Sequence, residues 1–242
     1  MRRTPAREQT VSGAGRRYLE AAYYLAGEGV PIRRARLAEW LGVAAPSVTE
    51  AVSRLHHDGL LELGPGRLLQ LSEEGRRVAA EVVRRHRIIE AWAVLSLKLD
   101  WVAADEEAQL LAPVVSDRVL DRLHEVIGRP ACCPHGNRIP GEDAPPEHSR
   151  RLSELVEGES ARVVRISELA EHDAHDILDA AYRARLTPTT PVRVGAVAAD
   201  GAMTLEVAGG EVQIWPRVAS AVWVTRGPAR PHSRTEASGT RL

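Results

Sequence analysis

The sequence predicts an α+β chain whose first half is helical and whose last third is built from short strands. Three observations carry this. Apolar residues recur at helical spacing from about Gly15 to Gly128. A Gly-Pro-Gly turn, Gly64-Pro65-Gly66, separates two short apolar runs inside that half. From about Leu152 the pattern changes to β-like runs joined by Asp200-Gly201 and Gly209-Gly210 turns.

Residues 1–12 are polar and basic and read as a flexible arm. The first helix fits Gly15 to Gly27, with Tyr18, Ala21, Ala22 and Leu25 inward, and Gly27-Glu28-Gly29 ends it. A second fits Arg33 to Leu41, stopped by Gly42. A third fits Pro46 to His57, with Pro46 suited to a first turn. Leu60–Leu63 and Leu68–Leu71 then make a hairpin. Helix, turn, helix and wing in that order are a winged helix-turn-helix, assigned to residues 13–75.

Ser72 followed by Glu73 and Glu74 is an N-cap with acidic first-turn residues, opening a long helix to about Leu97. Another helix fits Ala104 to Gly128, with a kink or break expected at Pro113. The helical domain is assigned to 76–141, a linker to 142–151, an SH3-like β-barrel to 152–225 and a disordered tail to 226–242. In the last domain the runs are Ala161–Ile166, Pro191–Val197, Met203–Val207, Glu211–Trp215 and Ala221–Val224, with a polar helical piece over Ser167–Tyr182.

Composition bounds the function. The 242 residues are 44% hydrophobic and 27% charged, the balance of a folded soluble protein. No apolar run approaches the ~20 residues of a membrane span, so no membrane role is expected. Net charge is −1, so nucleic acid must be met by a local patch rather than a global field. Only two cysteines, Cys132 and Cys133, occur, and they are adjacent; a reducing cytoplasm is expected.

The local patch is in the helix-turn-helix. Arg34 and Arg36 open its first helix. Ala44, Pro46, Ser47, Thr49 and Glu50 open its second, where small and hydroxyl side chains let a helix N-terminus approach a duplex. Arg54 and, at the wing tip, Arg67 are placed for phosphate contacts. These nine residues are the candidate DNA-binding set, and the expected partner is double-stranded DNA.

Five stretches then resemble one family. They are Arg34–Arg54, Leu71–Arg76, Val83–Glu90, Val115-Ser116-Asp117 and Cys133-Pro134-His135-Gly136-Asn137-Arg138-Ile139-Pro140-Gly141. The chain resembles the diphtheria toxin repressor family of iron- and manganese-dependent regulators over about residues 15–225. The resemblance implies a helical dimerisation domain, a homodimer on an inverted-repeat operator, and a cytoplasmic bacterial repressor of metal homeostasis that is not an enzyme.

The resemblance also implies metal ligands. His86 and Glu90 stand at i and i+4 on the long helix and can face one ion. Asp105 stands where the family has a histidine. Asp173 and Asp176 match the segment that lends oxygen ligands from the SH3-like domain. Imidazole and carboxylate suit Mn(II) or Fe(II), one ion per subunit. The family's other site is expected to be absent. Its positions here are Arg17, Gln109, Ala112 and Pro113, a set containing a permanent cation and two residues without a donor side chain. Arg17 could supply the positive charge that an ion would have brought.

Cys132, Cys133 and His135 are expected to shape a turn, because three ligands fall short of a four-coordinate structural zinc site. Two alternatives follow from these residues: a metal-independent regulator of the same fold, and, remotely, a metal phosphohydrolase. The latter is considered because His172-Asp173 and His175-Asp176 resemble that class's His-Asp pairs.

Overall fold

The computed structural model describes residues 11–143, 148–173, 175–208 and 210–226. Helix α1 (Gly13–Gly27) starts at Ser12, whose hydroxyl accepts the Gly15 N–H at 3.1 Å. Val11 packs on the same core, so the end of the expected arm belongs to the domain, while 1–10 lie outside the described residues. Helix α2 (Arg34–Leu41) ends at Gly42 with φ +63°, a left-handed C-cap. The chain then turns into α3 (Ala45–His57), which buries Val48, Val52 and Leu55. Strands β1 (Leu61–Leu63) and β2 (Leu69–Leu71) pair antiparallel as the wing.

Helix α4 (Glu73–Trp92) is capped by Ser72, whose hydroxyl accepts from Gly75 at 2.9 Å. Gly75 is required here: a Cβ at this position would sit 1.8 Å from the Leu60 carbonyl oxygen. The wing base therefore lies directly on the start of α4. A single wide turn, Ala93–Leu97, finishes the helix.

The long helix expected over Ala104–Gly128 is two helices, α5 (Trp101–Leu111) and α6 (Asp117–Val126), each with its own side-chain N-cap, Asp100 and Ser116. The break at Pro113 is full rather than a kink. Arg85 of α4 fills it, donating to the Ala112 carbonyl at 2.9 Å, to the Val115 carbonyl, and to Asp117 at 2.6 Å. One buried guanidinium thus satisfies carbonyls that an uninterrupted helix would have bonded itself.

The C-terminal domain holds β3 (Arg150–Arg151), β4 (Ser160–Ile166), α7 (Glu168–Asp173), α8 (His175–Arg183), β5 (Pro191–Val197), β6 (Met203–Val207), β7 (Gly210–Ile214), α9 (Pro216–Ala221) and β8 (Val222–Arg226). The sheet order is β3-β8-β4-β5-β6-β7, antiparallel throughout. Three boundaries differ from expectation. The linker's last two residues form β3, because Arg150 and Arg151 pair with Val224 and Trp223. The polar piece after β4 is two short helices. Arg226, expected in the tail, ends β8 opposite Ala161; 227–242 lie outside the described residues.

Three cores result. The first joins α1, α2, α3, the wing and the start of α4. The second is small and joins α4, α5, α6 and Ile139. The third fills the C-terminal domain and includes Trp101 of α5. That indole, 3% exposed, crosses the domain boundary, and it carries the next turn of α5, with Asp105, to the interface. Among the described residues no helix is long and apolar enough to cross a membrane.

Candidate metal centre

Helix α4 turns one side of its sequence Arg85-His86-Arg87-Ile88-Ile89-Glu90 inward, and every one of these residues is buried. The arginines do not leave this segment a solvated basic face. Arg85 fills the α5–α6 break, Arg84 holds the Pro140 carbonyl and Glu142, and Arg87 pairs with Glu168 of α7. With the cations spoken for, the imidazole and carboxylate one turn apart are free to face a common space.

Into that space three further elements bring donors. Asp105 of α5, fully buried, has one carboxylate oxygen 3.1 Å from His86 Nε2. The loop before the C-terminal domain brings His135, whose Nδ1 is 3.0 Å from Glu90 Oε1, and Cys133. Helix α8 brings His175, whose Nε2 is 3.6 Å from the other Asp105 oxygen. The ligand atoms of His86, Glu90 and Asp105 lie within 4.8 Å of one another, and so do those of Glu90, Cys133 and His135. Glu90 belongs to both sets. Among the described residues these are the only such groups of three or more.

The loop carrying Cys133 and His135 is held on both sides. The Cys133 N–H donates to the Asn137 carbonyl at 2.8 Å, and the His135 carbonyl accepts from Ile166 of β4 at 2.8 Å. Gly136 sits at φ +86°, and a Cβ there would lie 2.1 Å from the Val164 carbonyl oxygen. Only glycine lets the loop seat this closely on β4. Trp101 then packs edge-on against the His135 ring, centroids 4.6 Å apart. His135 does shape the turn as expected, but its ring also enters the cluster. Its signal in the sequence was the loop's glycine and asparagine punctuation, which brings a histidine and a cysteine two residues apart to one side.

The other expected ligands fare differently. The Asp176 carboxylate is 61% exposed and pairs with Arg217 at 3.5 Å, outside the cluster, because the start of α8 turns His175 rather than its neighbour inward. The Asp173 side chain lies outside the described residues. Gln109, standing where the resemblance places a ligand of the family's other site, donates its amide to Asp105 at 2.8 Å. It therefore buttresses the cluster from the next turn of α5. Arg17 is exposed on α1, Ala112 is buried and Pro113 is exposed.

The electrostatics fit a cation. Two carboxylates are buried together, and here imidazoles balance them. Burial by itself depresses the His86 imidazolium, but the Asp105 hydrogen bond and the Glu90 charge outweigh it and lift its pKa to about 9. Burial raises Glu90, and the facing His135 charge and hydrogen bond more than reverse this, holding it below the usual carboxylate range. A divalent ion would take the place of these protons, since metal binding to imidazole and thiol displaces them.

A pH prediction follows. The folded-state pKa of His86 is raised, so its contribution is full below pH 6.5 and disappears as pH rises through about 9. A shift of this size corresponds to about 3 kcal/mol. In chelator, the urea midpoint is expected to fall between pH 6.5 and 9. With metal present that fall is expected to be suppressed. A flat pH profile in chelator would contradict the His86 assignment.

Seven of the nine candidate DNA-binding residues are exposed. Ala44, Pro46, Ser47, Thr49, Glu50 and Arg54 are all exposed along α3, and Arg67 is exposed at the wing tip with φ +61°. The α3 N-cap, Ala44, makes no side-chain cap. Pro46 has no N–H, and the Ser47 and Val48 N–H groups donate to the Ala44 carbonyl at 3.0 and 3.3 Å, so contact with a duplex here falls to side chains. Arg54 lies 3.4 Å from Glu50, an exposed pair. Thr49 bonds back to the Ala45 carbonyl at 3.0 Å. Arg34 is half-buried, and Arg36 is drawn onto its own helix by Glu39 at 2.8 Å and the Trp40 ring.

Residues 14–69 match the N-terminal DNA binding domain of iron-dependent repressors, 72–141 their metal binding and dimerisation domain, and 150–226 the FeoA domain. The iron-dependent repressor IdeR of Mycobacterium tuberculosis is 38% identical over 169 residues, 66% of this chain and 73% of that protein. The chain belongs to the iron-dependent repressor family. The diphtheria toxin repressor of Corynebacterium efficiens is 37% identical over 165 residues, 64% of this chain and 72% of its own.

Two solved members extend the likeness to the whole fold of this repressor. A manganese-dependent transcriptional repressor in complex with manganese superposes with TM-score 0.77 at 29% identity, covering 88% of this chain and 99% of its own. ScaR with bound Zn2+ superposes with TM-score 0.71 at 28% identity over the same shares. The winged helix-turn-helix, the helical dimerisation domain and the SH3-like domain are those of the family, and its members are transcription regulators.

Proposed function

We propose that this repressor senses Fe(II) or Mn(II) through a single centre at the junction of the helical and C-terminal domains. The observation that carries the reading is the convergence of His86, Glu90, Asp105, Cys133 and His135, buried together with their donor atoms within 4.8 Å in two sets sharing Glu90. His175 stands next to them as a donor from the C-terminal domain. A bound divalent ion supplies positive charge and a fixed coordination geometry there. The chain's own residues do the rest. Glu90 spans both halves of the cluster, Gln109 orients Asp105, and Gly136 with Trp101 fixes the His135 ring.

The thiol discriminates between the two metals. Thiolate is a softer ligand than carboxylate, and iron tolerates it better than manganese does. Fe(II) is therefore the preferred ion in this reading.

On the DNA side, the exposed start of α3 enters the major groove and Arg54 and Arg67 meet phosphates. Arg36 serves mainly to brace α2. The working unit is a homodimer on an inverted-repeat operator in the cytoplasm. Six of the eleven large exposed apolar side chains among the described residues, Leu95, Leu97, Leu110, Val114, Val119 and Val126, come from the α4 end through α6. A concentration of apolar surface on one domain is what a partner subunit covers. The divisions 13–75, 76–141 and 152–225 serve reading, sensing with pairing, and closure of the centre.

Fluorescence anisotropy on duplex DNA from the chain's own upstream region tests this at fixed salt. Operator affinity is expected to rise at least about tenfold, roughly 1.4 kcal/mol, from chelator to saturating Fe(II) or Mn(II). Equal affinity in all three conditions would favour the metal-independent regulator instead.

A further inference from the structure

The contacts that tie the reading domain to the C-terminal domain converge on one carboxylate. Glu28 closes α1, and its side chain is completely buried. Four donors from the C-terminal domain reach it. Arg151 of β3 meets Oε2 at 2.7 Å, and Arg165 of β4 meets Oε1. Trp223 Nε1 of β8 donates to Oε2 at 3.3 Å, and the backbone N–H of Glu168, first residue of α7, donates to Oε1 at 3.2 Å. Both guanidiniums also lie over the Trp223 ring, 3.9 and 4.5 Å from its centroid. Burial raises the Glu28 carboxyl, but Arg165 and Arg151 outweigh it and keep it ionised below the usual range.

Helix α7 connects this contact to the metal centre. At its start, Glu168 touches Glu28 through its backbone and Arg87 through its carboxylate. Arg87 follows His86 on α4. Beyond its end comes His175, 3.6 Å from Asp105. A six-residue helix spans about 9 Å, with Glu168, and through it Glu28, at its start and the α8 residue His175 two positions past its end. Among the described residues no ligand cluster includes any residue of α1. Glu20 of α1 adds its charge to His86 from the α4 side, and the C-terminal domain reaches α1 through the donors on Glu28.

We propose that Glu28 is the positioning residue that couples the metal centre to DNA reading, a latch by which the C-terminal domain sets the angle of α1 and the helices packed on it. The proposal deepens the metal-responsive reading above and rests on it. Asp105 and His175 would hold an ion between the helical and C-terminal domains, and α7 with β3, β4 and β8 presents the donors that hold Glu28. A buried carboxylate with two guanidinium partners suits such a role, because its contact is made fully or lost, not loosened by degrees.

The test compares the full chain with Glu28→Gln, which keeps shape and removes charge. Mn(II) affinity, operator affinity with and without Mn(II), and backbone hydrogen exchange are measured on both. The expected result is Mn(II) affinity within threefold of the parent, with the Mn(II)-induced gain in operator affinity reduced at least tenfold. Amides in the last turn of α1 and the first turn of α7 should exchange at least tenfold faster. An undiminished metal-induced gain would overturn the proposal, as would a loss of Mn(II) affinity matching the loss of gain. If the parent itself shows no metal-induced gain, the metal-responsive reading fails, and unchanged exchange in Glu28→Gln would then overturn the latch as well. Arg165→Met carries the same comparison if the glutamine chain does not fold.

Discussion

Glu90→Gln is expected to weaken metal binding by at least about 100-fold and to remove the metal-induced gain in operator affinity. Glu90 is the one donor common to both sets of ligands, so its loss affects the whole cluster. Changing a group outside a coordination sphere typically costs 10–100-fold in affinity, and a direct ligand costs more. Glutamine keeps the volume and one oxygen, so packing around Ile88 and Ile89 should persist. What disappears is the charge that holds His135 at 3.0 Å and favours the cation. Thermal melts with and without metal read this directly. A ligand at about 1,000 times its Kd stabilises by about 4 kcal/mol. The parent should show an upward shift of that order and the variant almost none. A variant that retains the shift would remove Glu90 from the centre.

Ser47→Glu is expected to abolish specific DNA binding, at least about 100-fold in affinity, without loss of stability. Ser47 lies in the first turn of α3 and is exposed, so no packing is disturbed. A carboxylate near a helix N-terminus stabilises the helix by about 0.3–1 kcal/mol. The same charge faces phosphate when α3 enters the groove, and one lost base contact alone costs about 1–3 kcal/mol. A dimer meets this cost twice. The two readouts should therefore move in opposite directions: the melting temperature holds or rises while operator binding collapses. Retained binding would move the reading face away from the start of α3.

The reading helices and wing were legible residue by residue. Gly42, Pro46, Gly64-Pro65-Gly66 and Ser72 act locally, through backbone conformation and capping, and local chemistry is visible in local sequence. The His86–Glu90 pair was legible for the same reason, since helical spacing alone sets it on one face. The α5–α6 break was only half legible. Pro113 marked it, but its completeness depends on Arg85, 27 residues earlier, taking up the exposed carbonyl of Ala112.

Sequence by itself determined the order of the domains, the exposed start of α3 proposed for DNA reading and the two α4 members of the candidate metal centre. Only the tertiary structure decided which other groups meet them. Cys133 and His135 read as turn residues until β4 and Trp101 pressed their loop against Glu90. His175 and Asp176 are neighbours in sequence, and the orientation of α8 turned one toward Asp105 and the other to Arg217. Glu28 read as part of a helix stop, yet the C-terminal domain folds four donors around it. The physical reason is common to all three. A side chain's role follows from the charges and donors around it, and buried neighbours 45 to 195 residues away leave no periodic trace in the chain.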